Sequence, residues 1–223
     1  MSQRLPFPDA STATDVLTFA QRASRLGDGA IRLKAQDGIL TLTSAPLAPR
    51  SLLEQTPTVL GMRIVPVDPE LVCDLVVEAS ALSAAEDACA LLLPSSGVTA
   101  TWAGVSPPRA GWMPAGEVPA SLLAARAQWG IASVAETVPV DAGEDAVHSV
   151  RAAVWGAADE ALAGLPLGVA FAAFALGFIA GDEVAALRTN GPWTRVSLAR
   201  GHVLSRDTTR AGMTAVRATG PSA

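Results

Sequence analysis

Two clusters of residues have the types and spacing to do chemistry. The first is the stretch WAGVSPPRAGW, where Trp102, Arg109 and Trp112 stand within eleven residues. Two indoles and a guanidinium so close suit an aromatic cage for a ligand. They also suit a stiff hinge, because Ser106 and Pro107 each precede a proline and are held extended. The hinge is preferred, since a cage also needs a cavity. The second cluster is C-terminal. Trp193, Arg195, Arg200, His202, Arg206 and Arg210 interleave aromatic and basic groups, as a surface for an acidic partner or for nucleic acid would.

Catalysis needs a nucleophile, a base and an orienting group. There is no GxSxG elbow, no GxxxxGK[ST] loop, no CxxC and no HExxH. His148 follows Glu144 by four residues and is expected to pair with it on one helix face. His202 sits near Ser197 and Ser205 with no third member. The acidic doublets, such as Glu144-Asp145 and Asp182-Glu183, fall near element ends, where carboxylates cap helices or are solvated. No catalytic, cofactor-binding or metal-binding residue is therefore assigned, and an enzyme is the less favoured class. The residues assigned to ligand or partner contact are Trp102, Arg109, Trp112, Trp193, Arg195, Arg200, His202 and Arg206.

Charge supports a partner. The net charge is −5, but residues 184–223 carry six arginines and one acid, while residues 1–183 carry ten basic and twenty acidic residues. Such a split marks a segment that meets an acidic surface, either this protein's own body or a second copy. Two cysteines, Cys73 and Cys89, suit a reducing cytoplasm, with a single disulfide between them left open. The N-terminus has no apolar run of the kind a secretory leader needs. Residues 161–181 are uncharged and carry two GxxxG spacings. Pro166 is expected to start a helix there. That leaves about 15 residues, roughly 22 Å, against the about 20 residues a membrane span requires. A buried helix is expected, and no membrane association.

These residues must be positioned by an α+β fold. STATDVLTFAQRASRL reads as a helix with Val16, Leu17, Phe19, Ala20, Ala23 and Leu26 inward, ending at Gly27. AIRLKAQ-DG-ILTLTSA reads as a hairpin on a type I′ turn, pairing Gln36 with Ile39 and Leu33 with Leu42. TVLGMRIVPV and LVCDLVVEA read as strands, with Cys73 on the apolar row. ACALLLP-SSG-VTATWAG reads as a second hairpin that sets Cys89 against Trp102 and makes Trp102 the last inward residue of a strand. GVSPPRAGWMPAGEVP is expected to leave the sheet, with Arg109 over a tryptophan face. Three helices are expected next: one beginning near Pro119 and broken at Gly130, one with Val147, Val150, Val154 and Leu162 inward, and PLGVAFAAFALGFIA, apolar nearly all round. VAALRTNGPWTRVSLARGHVLSR reads as short strands. A turn at Ala199-Arg200-Gly201 would group Val196, Leu198 and Leu204. Residues 207–223 read as a polar tail. No internal repeat is visible.

At SPPRAGW, AAFALGF and GPWTRVSLARGHVLSR the chain resembles actinobacterial proteins of unassigned function. That resemblance implies a bacterial cytoplasmic protein and transfers no activity.

The expectation is a mostly antiparallel sheet over about residues 30–105, covered by a helical layer over about 117–181, with a C-terminal β-hairpin. A β-rich half (1–112) and a helical half (113–223) are expected to divide the chain, with a single domain as the alternative. Three functions are open. The first is a non-catalytic module that self-associates or binds a protein. The second is a small-molecule site or enzyme with a pocket between sheet and helices, walled by Trp102, Arg109 and Trp112. The third is nucleic-acid binding through the basic C-terminal hairpin.

Overall fold

The computed structural model describes residues 4–51 and 54–207. The expected polar tail, with Arg210, lies outside the described residues, as do two leucines of the connector after the first hairpin.

The chain opens with strand β1 (Arg4–Pro6) and helix α1 (Ala10–Ala23). Asp9 caps α1 by accepting from the Thr12 backbone N–H at 2.8 Å, which satisfies one of the open donors of the first turn. Val16, Phe19, Ala20 and Ala23 are buried along the face the spacing predicted. Strands β2 (Ala30–Gln36) and β3 (Ile39–Leu47) form the expected hairpin. Asp37 and Gly38 have φ of 55° and 77°, as a type I′ turn requires. Gln36 pairs with Ile39 and Leu33 with Leu42, so the two-residue period places Ile31, Leu33, Ala35, Leu40 and Leu42 in the core. Strands β4 (Thr58–Pro66) and β5 (Cys73–Glu78) follow.

The second hairpin does not form. β6 (Ser83–Ala84) and β7 (Ala90–Leu92) build a small sheet with β1, in the order β1-β7-β6. Both edges of β7 are thus occupied. Residues 98–104 turn to the other side of the molecule, where the Val98 N–H donates to the Val76 carbonyl at 2.9 Å. Trp102 stands on a single 3-10 turn, Thr101–Gly104, and not at a strand end facing Cys89.

Nor does the proline-rich segment stay out of the sheet. β8 (Met113–Pro119) pairs with a later strand and ends the large sheet. An edge strand tolerates Pro114 and Pro119, because an N–H that would point away from its one neighbour is not missed. Helix α2 (Ala120–Thr137) then runs unbroken through Gly130. A Cβ at Gly130 would lie 2.2 Å from the Trp155 ring, so this glycine marks a close approach of two helices and not a break. α3 (Glu144–Gly156) ends before Leu162, which is buried on a separate 3-10 turn. β9 (Ala158–Asp159) and β10 (Leu165–Pro166) pair as a small ladder. α4 (Gly168–Ala175) is buried from Gly168 to Ala173.

β11 (Val184–Asn190), β12 (Trp193–Leu198) and β13 (Gly201–Arg206) close the chain. Leu198 pairs with Gly201, so the turn is the two residues Ala199-Arg200. That shifts the expected register by one residue. Val203 joins Val196 and Leu198, while Leu204 moves to the face of Trp193, Arg195 and His202.

The fold is α+β. The eight-stranded antiparallel sheet has the order β5-β2-β3-β4-β13-β12-β11-β8, so half of it comes from after residue 112. That order reads alike from either end: a flanking strand, then a three-strand meander preceded by a helix. The two meanders meet where β4 pairs antiparallel with β13. Helices α1, α2 and α4 cover one face of the sheet. The other face carries a smaller apolar cluster, including Leu60, Trp102, Trp193 and Leu204.

Candidate functional site

The stretch from Val98 to Trp112 is a strap laid across the helix-free face. It starts at edge strand β5 through Val98. Arg32 on β2 holds its middle, donating from Nη1 to the Ala103 carbonyl at 2.7 Å. Arg109 Nη2 donates to Gln36 Oε1 at 3.0 Å. Asn190 Nδ2 on β11 donates to the Ala110 carbonyl at 2.7 Å. The strap then enters β8 at the opposite edge. Its two tryptophans are separate anchors. Trp102 is 4% exposed, and its Nε1–H donates to Asp28 Oδ2 at 2.8 Å. Trp112 is half-buried, and its Nε1–H donates to the Pro108 carbonyl at 3.1 Å. The cation over a ring is not Arg109. It is Arg195, whose guanidinium lies 4.7 Å from the Trp112 ring centroid.

The charges on this face differ between its two meanders. Under the first part of the strap, Arg32 makes paired 2.7 Å bonds to both oxygens of Asp74. Lys34 lies 3.6 Å from the same carboxylate. The Arg32 hydrogen bond holds Asp74 below the usual carboxylate range, and Asp74 in turn raises Arg32. At the other end, Arg188 on β11 stands directly opposite Arg195 on β12. His202 pairs with Ser197 on the same face, and Arg206 pairs with Trp193. Among the described residues no carboxylate pairs with Arg188, Arg195, Arg200 or Arg206. Arg195 Nε and His202 Nδ1 are both buried without a hydrogen-bond partner. Burial, and then the neighbouring Arg188, pushes Arg195 down. Burial, and then Arg195, pushes His202 down.

The structure thus brings Trp112, Trp193, Arg195, His202 and Arg206 onto one half of one sheet face. Trp102 and Arg109 lie farther along the strap. Arg200 does not join them. It sits on the β12–β13 turn beside a hollow of about 320 Å³ lined by Asp15, Arg22 and Arg63. Sequence reasoning missed Arg188, Arg32 and Asn190. The alternation of VAALRTN was the available signal for Arg188, but its facing partner depends on the register of β11 against β12.

Of the three residues expected to wall a pocket between sheet and helices, Trp102 lines a hollow of about 450 Å³ with Asp28, Arg50, His148, Arg151 and Trp155, and Arg109 and Trp112 do not line it. His148 faces Glu54, Nε2 to Oε1 at 3.2 Å, and Glu144 faces Arg50 at 3.7 Å. The expected His148–Glu144 pair is therefore replaced by two contacts that tie α3 to the connector after β3. The Thr56 hydroxyl, the Arg50 backbone N–H and His148 together hold Glu54 below its ordinary value, against a smaller cost of burial. Cys73 and Cys89 are both free thiols, and burial raises Cys73. Among the described residues no three His, Cys, Asp or Glu side chains gather to hold a metal. No helix among them is long and apolar enough to cross a membrane.

Residues 107–218 match a domain of unknown function, DUF8185. The chain belongs to that family. Residues 1–104 match a second domain of unknown function, DUF8010, so the boundary between the two matches falls inside the strap. No curated protein is similar to the chain in sequence. The family assignment agrees with the resemblance to proteins of unassigned function. In three dimensions the chain is similar to a DnaN sliding clamp, the DNA polymerase III β subunit of Bartonella birtlesii, with a TM-score of 0.50 and 12% identity, over 91% of this chain and 64% of that one. A DNA polymerase III β subunit of Eubacterium rectale gives 0.49 and 8%, over 91% and 64%. The Caulobacter crescentus clamp gives 0.45 and 12%, over 92% and 65%. The chain spans under two thirds of the length of these clamps. The first likeness shows a shared fold.

Proposed function

We propose that this chain is a non-catalytic interaction module that self-associates, with the basic meander of one copy set against the acidic edge of another. The carrying observation is the set of unpaired arginines on β11–β13. Residues 184–206 hold four arginines and no acid, and the three that share the helix-free face, Arg188, Arg195 and Arg206, find no carboxylate among the described residues. The described part of the chain's own body, the other candidate partner from charge alone, therefore leaves them unmatched. The complement offered lies at the far edge of the sheet. Residues 68–78, which end in β5, hold Asp68, Glu70, Asp74 and Glu78 and no base, and Asp74 among them is already shared by Arg32 and Lys34. A basic patch meeting an acidic edge is a heterologous contact, which repeats from copy to copy until it closes. The clamp whose fold the chain shares is, by its name, a polymerase subunit, which favours a role in an assembly. The free thiols favour a cytoplasmic setting.

Sedimentation velocity tests this reading. The mass at about 20 mM salt should exceed that of one chain and fall toward it at about 500 mM, as screening shortens the reach of exposed charges. An Arg188→Glu/Arg195→Glu variant should remain monomeric at both. A native chain that is monomeric at every salt concentration overturns the reading.

Nucleic acid is the second reading, supported by the same arginines. The rings that would stack on bases are not free, because Trp193 is 5% exposed and the Trp112 face carries Arg195. Such binding would rest on phosphate contacts, with a steep salt dependence and little sequence preference.

A further inference from the structure

Two buried side-chain nitrogens on this half of the helix-free face meet no protein partner. Buried polar groups almost always find a partner. Arg195 Nε and His202 Nδ1 lack one on the same patch, with Arg188 directly opposite Arg195 and His202 on the diagonal, about 7–8 Å away by strand geometry. The neighbours of this patch do not supply an acid. Met62 on β4 and Ser197 on β12 flank His202. Arg206 follows farther along β13. The carboxylate in this row of the face, Glu117 on edge strand β8, pairs across β11 with Ala186, is exposed, and makes no ion pair with either arginine. Above, the Trp112 ring roofs the Arg195 guanidinium.

We propose that Arg188, Arg195 and His202 form a cradle for a phosphate dianion, roofed by Trp112 and entered when that ring swings aside. Two fixed cations with no counter-charge call for two negative charges. A carboxylate brings one charge and two oxygens and leaves an arginine unmatched. A phosphate or phosphomonoester brings a charge near −2 and three acceptor oxygens. These suit the fork of Arg195, the exposed Arg188 and His202, whose Nδ1 donates once the ring is protonated. The cradle goes beyond self-association and does not depend on it, since every donor comes from one copy.

The test uses the full chain and its two histidines, His148 and His202, followed by NMR through their pH titration. Inorganic phosphate should raise the His202 midpoint saturably, because a bound dianion favours the imidazolium. His148, which faces Glu54, should stay still. Phenyl phosphate distinguishes the sources: a matching shift assigns the cradle to monoesters on larger molecules, and a shift with inorganic phosphate alone assigns it to the free ion. Arg188→Leu, at an exposed position, and Arg195→Leu should each weaken phosphate about ten-fold or more. Arg200→Leu, which removes the same charge from the β12–β13 turn, should leave it unchanged. The cradle is overturned if neither phosphate moves His202, if acetate moves it as far, or if Arg200→Leu weakens binding as much as Arg195→Leu. A failed His202 shift leaves the sedimentation result standing, and the reverse also holds.

Discussion

The two meanders of the sheet have one backbone plan and opposite electrostatics. In β2–β4 and the flanking β5, the cations of the helix-free face are matched. Arg32 and Lys34 share Asp74, and Arg32 also ties down the strap. In β11–β13, Arg188, Arg195 and His202 face one another with no acid, and two of their nitrogens have no partner. The cations on this face of the first half are matched, so they hold the structure together. The second half is left open, at some cost to folding, which is the ground for placing the proposed partner there.

The comparison can be broken in stability measurements. The largest effect is expected from Gly130→Ala. The added methyl meets the rigid Trp155 ring, itself stacked on Phe171 at 4.3 Å, and overpacking of this kind costs about 2 kcal/mol. We further propose that residues 1–112 and 113–223 unfold as one unit, because the β4–β13 ladder joins them. A urea transition followed at Trp102 in the first half and at Trp155 in the second should then shift together. Separate transitions would show that the halves are independent.

Next in size is Arg32→Ala, which removes the paired bonds to Asp74 and the anchor on Ala103. A half-exposed pair of this kind is worth about 1–2 kcal/mol, and the loss should appear as a lower urea midpoint. Arg195→Leu sharpens the contrast. It removes a repulsive, partly buried cation, so stability in phosphate-free buffer should stay within about 0.5 kcal/mol of the native chain or rise. A loss as large as that of Arg32→Ala would show that the second half is not open at all.

The smallest effect is a pH dependence. Burial lowers the His202 pKa in the folded state, so between that value and the unfolded value of about 6.5 the unfolded chain binds more protons. The His202 contribution is whole above about pH 6.5 and is lost as pH falls through the interval below. His202→Asn should flatten that part of the stability profile. A profile unchanged by this substitution would remove the burial argument for His202.

Local rules made part of this legible. Asp37-Gly38 fixed a turn because few residue pairs accept two positive φ angles, and the alternation on either side then set the register. The stripe of α1 and the burial of α4 followed equally from period and polarity. What failed were choices between competing partners. β7 could pair with residues 98–102 or with β1, and a distant N-terminal strand won. MPAGEVP looked unfit for a ladder, but an edge position does not need every N–H. Gly130 reads alike whether it breaks a helix or admits a tryptophan.

The sequence by itself determined helix α1, the first hairpin, the burial of α4, the charge split and the gathering of Trp193, Arg195, His202 and Arg206 on a single short hairpin. It also determined that Trp102, Arg109 and Trp112 lie on a stiff, proline-bearing stretch. Only the tertiary structure decided that this stretch crosses the whole sheet, that Trp102 and Trp112 anchor opposite ends of it, and that Arg195 rather than Arg109 meets Trp112. Turns and periodicities act over a few residues, so they are written locally. The meeting of β4 with β13, and of the strap with both halves, depends on which long-range contacts bury the most apolar surface while leaving the fewest polar groups without partners.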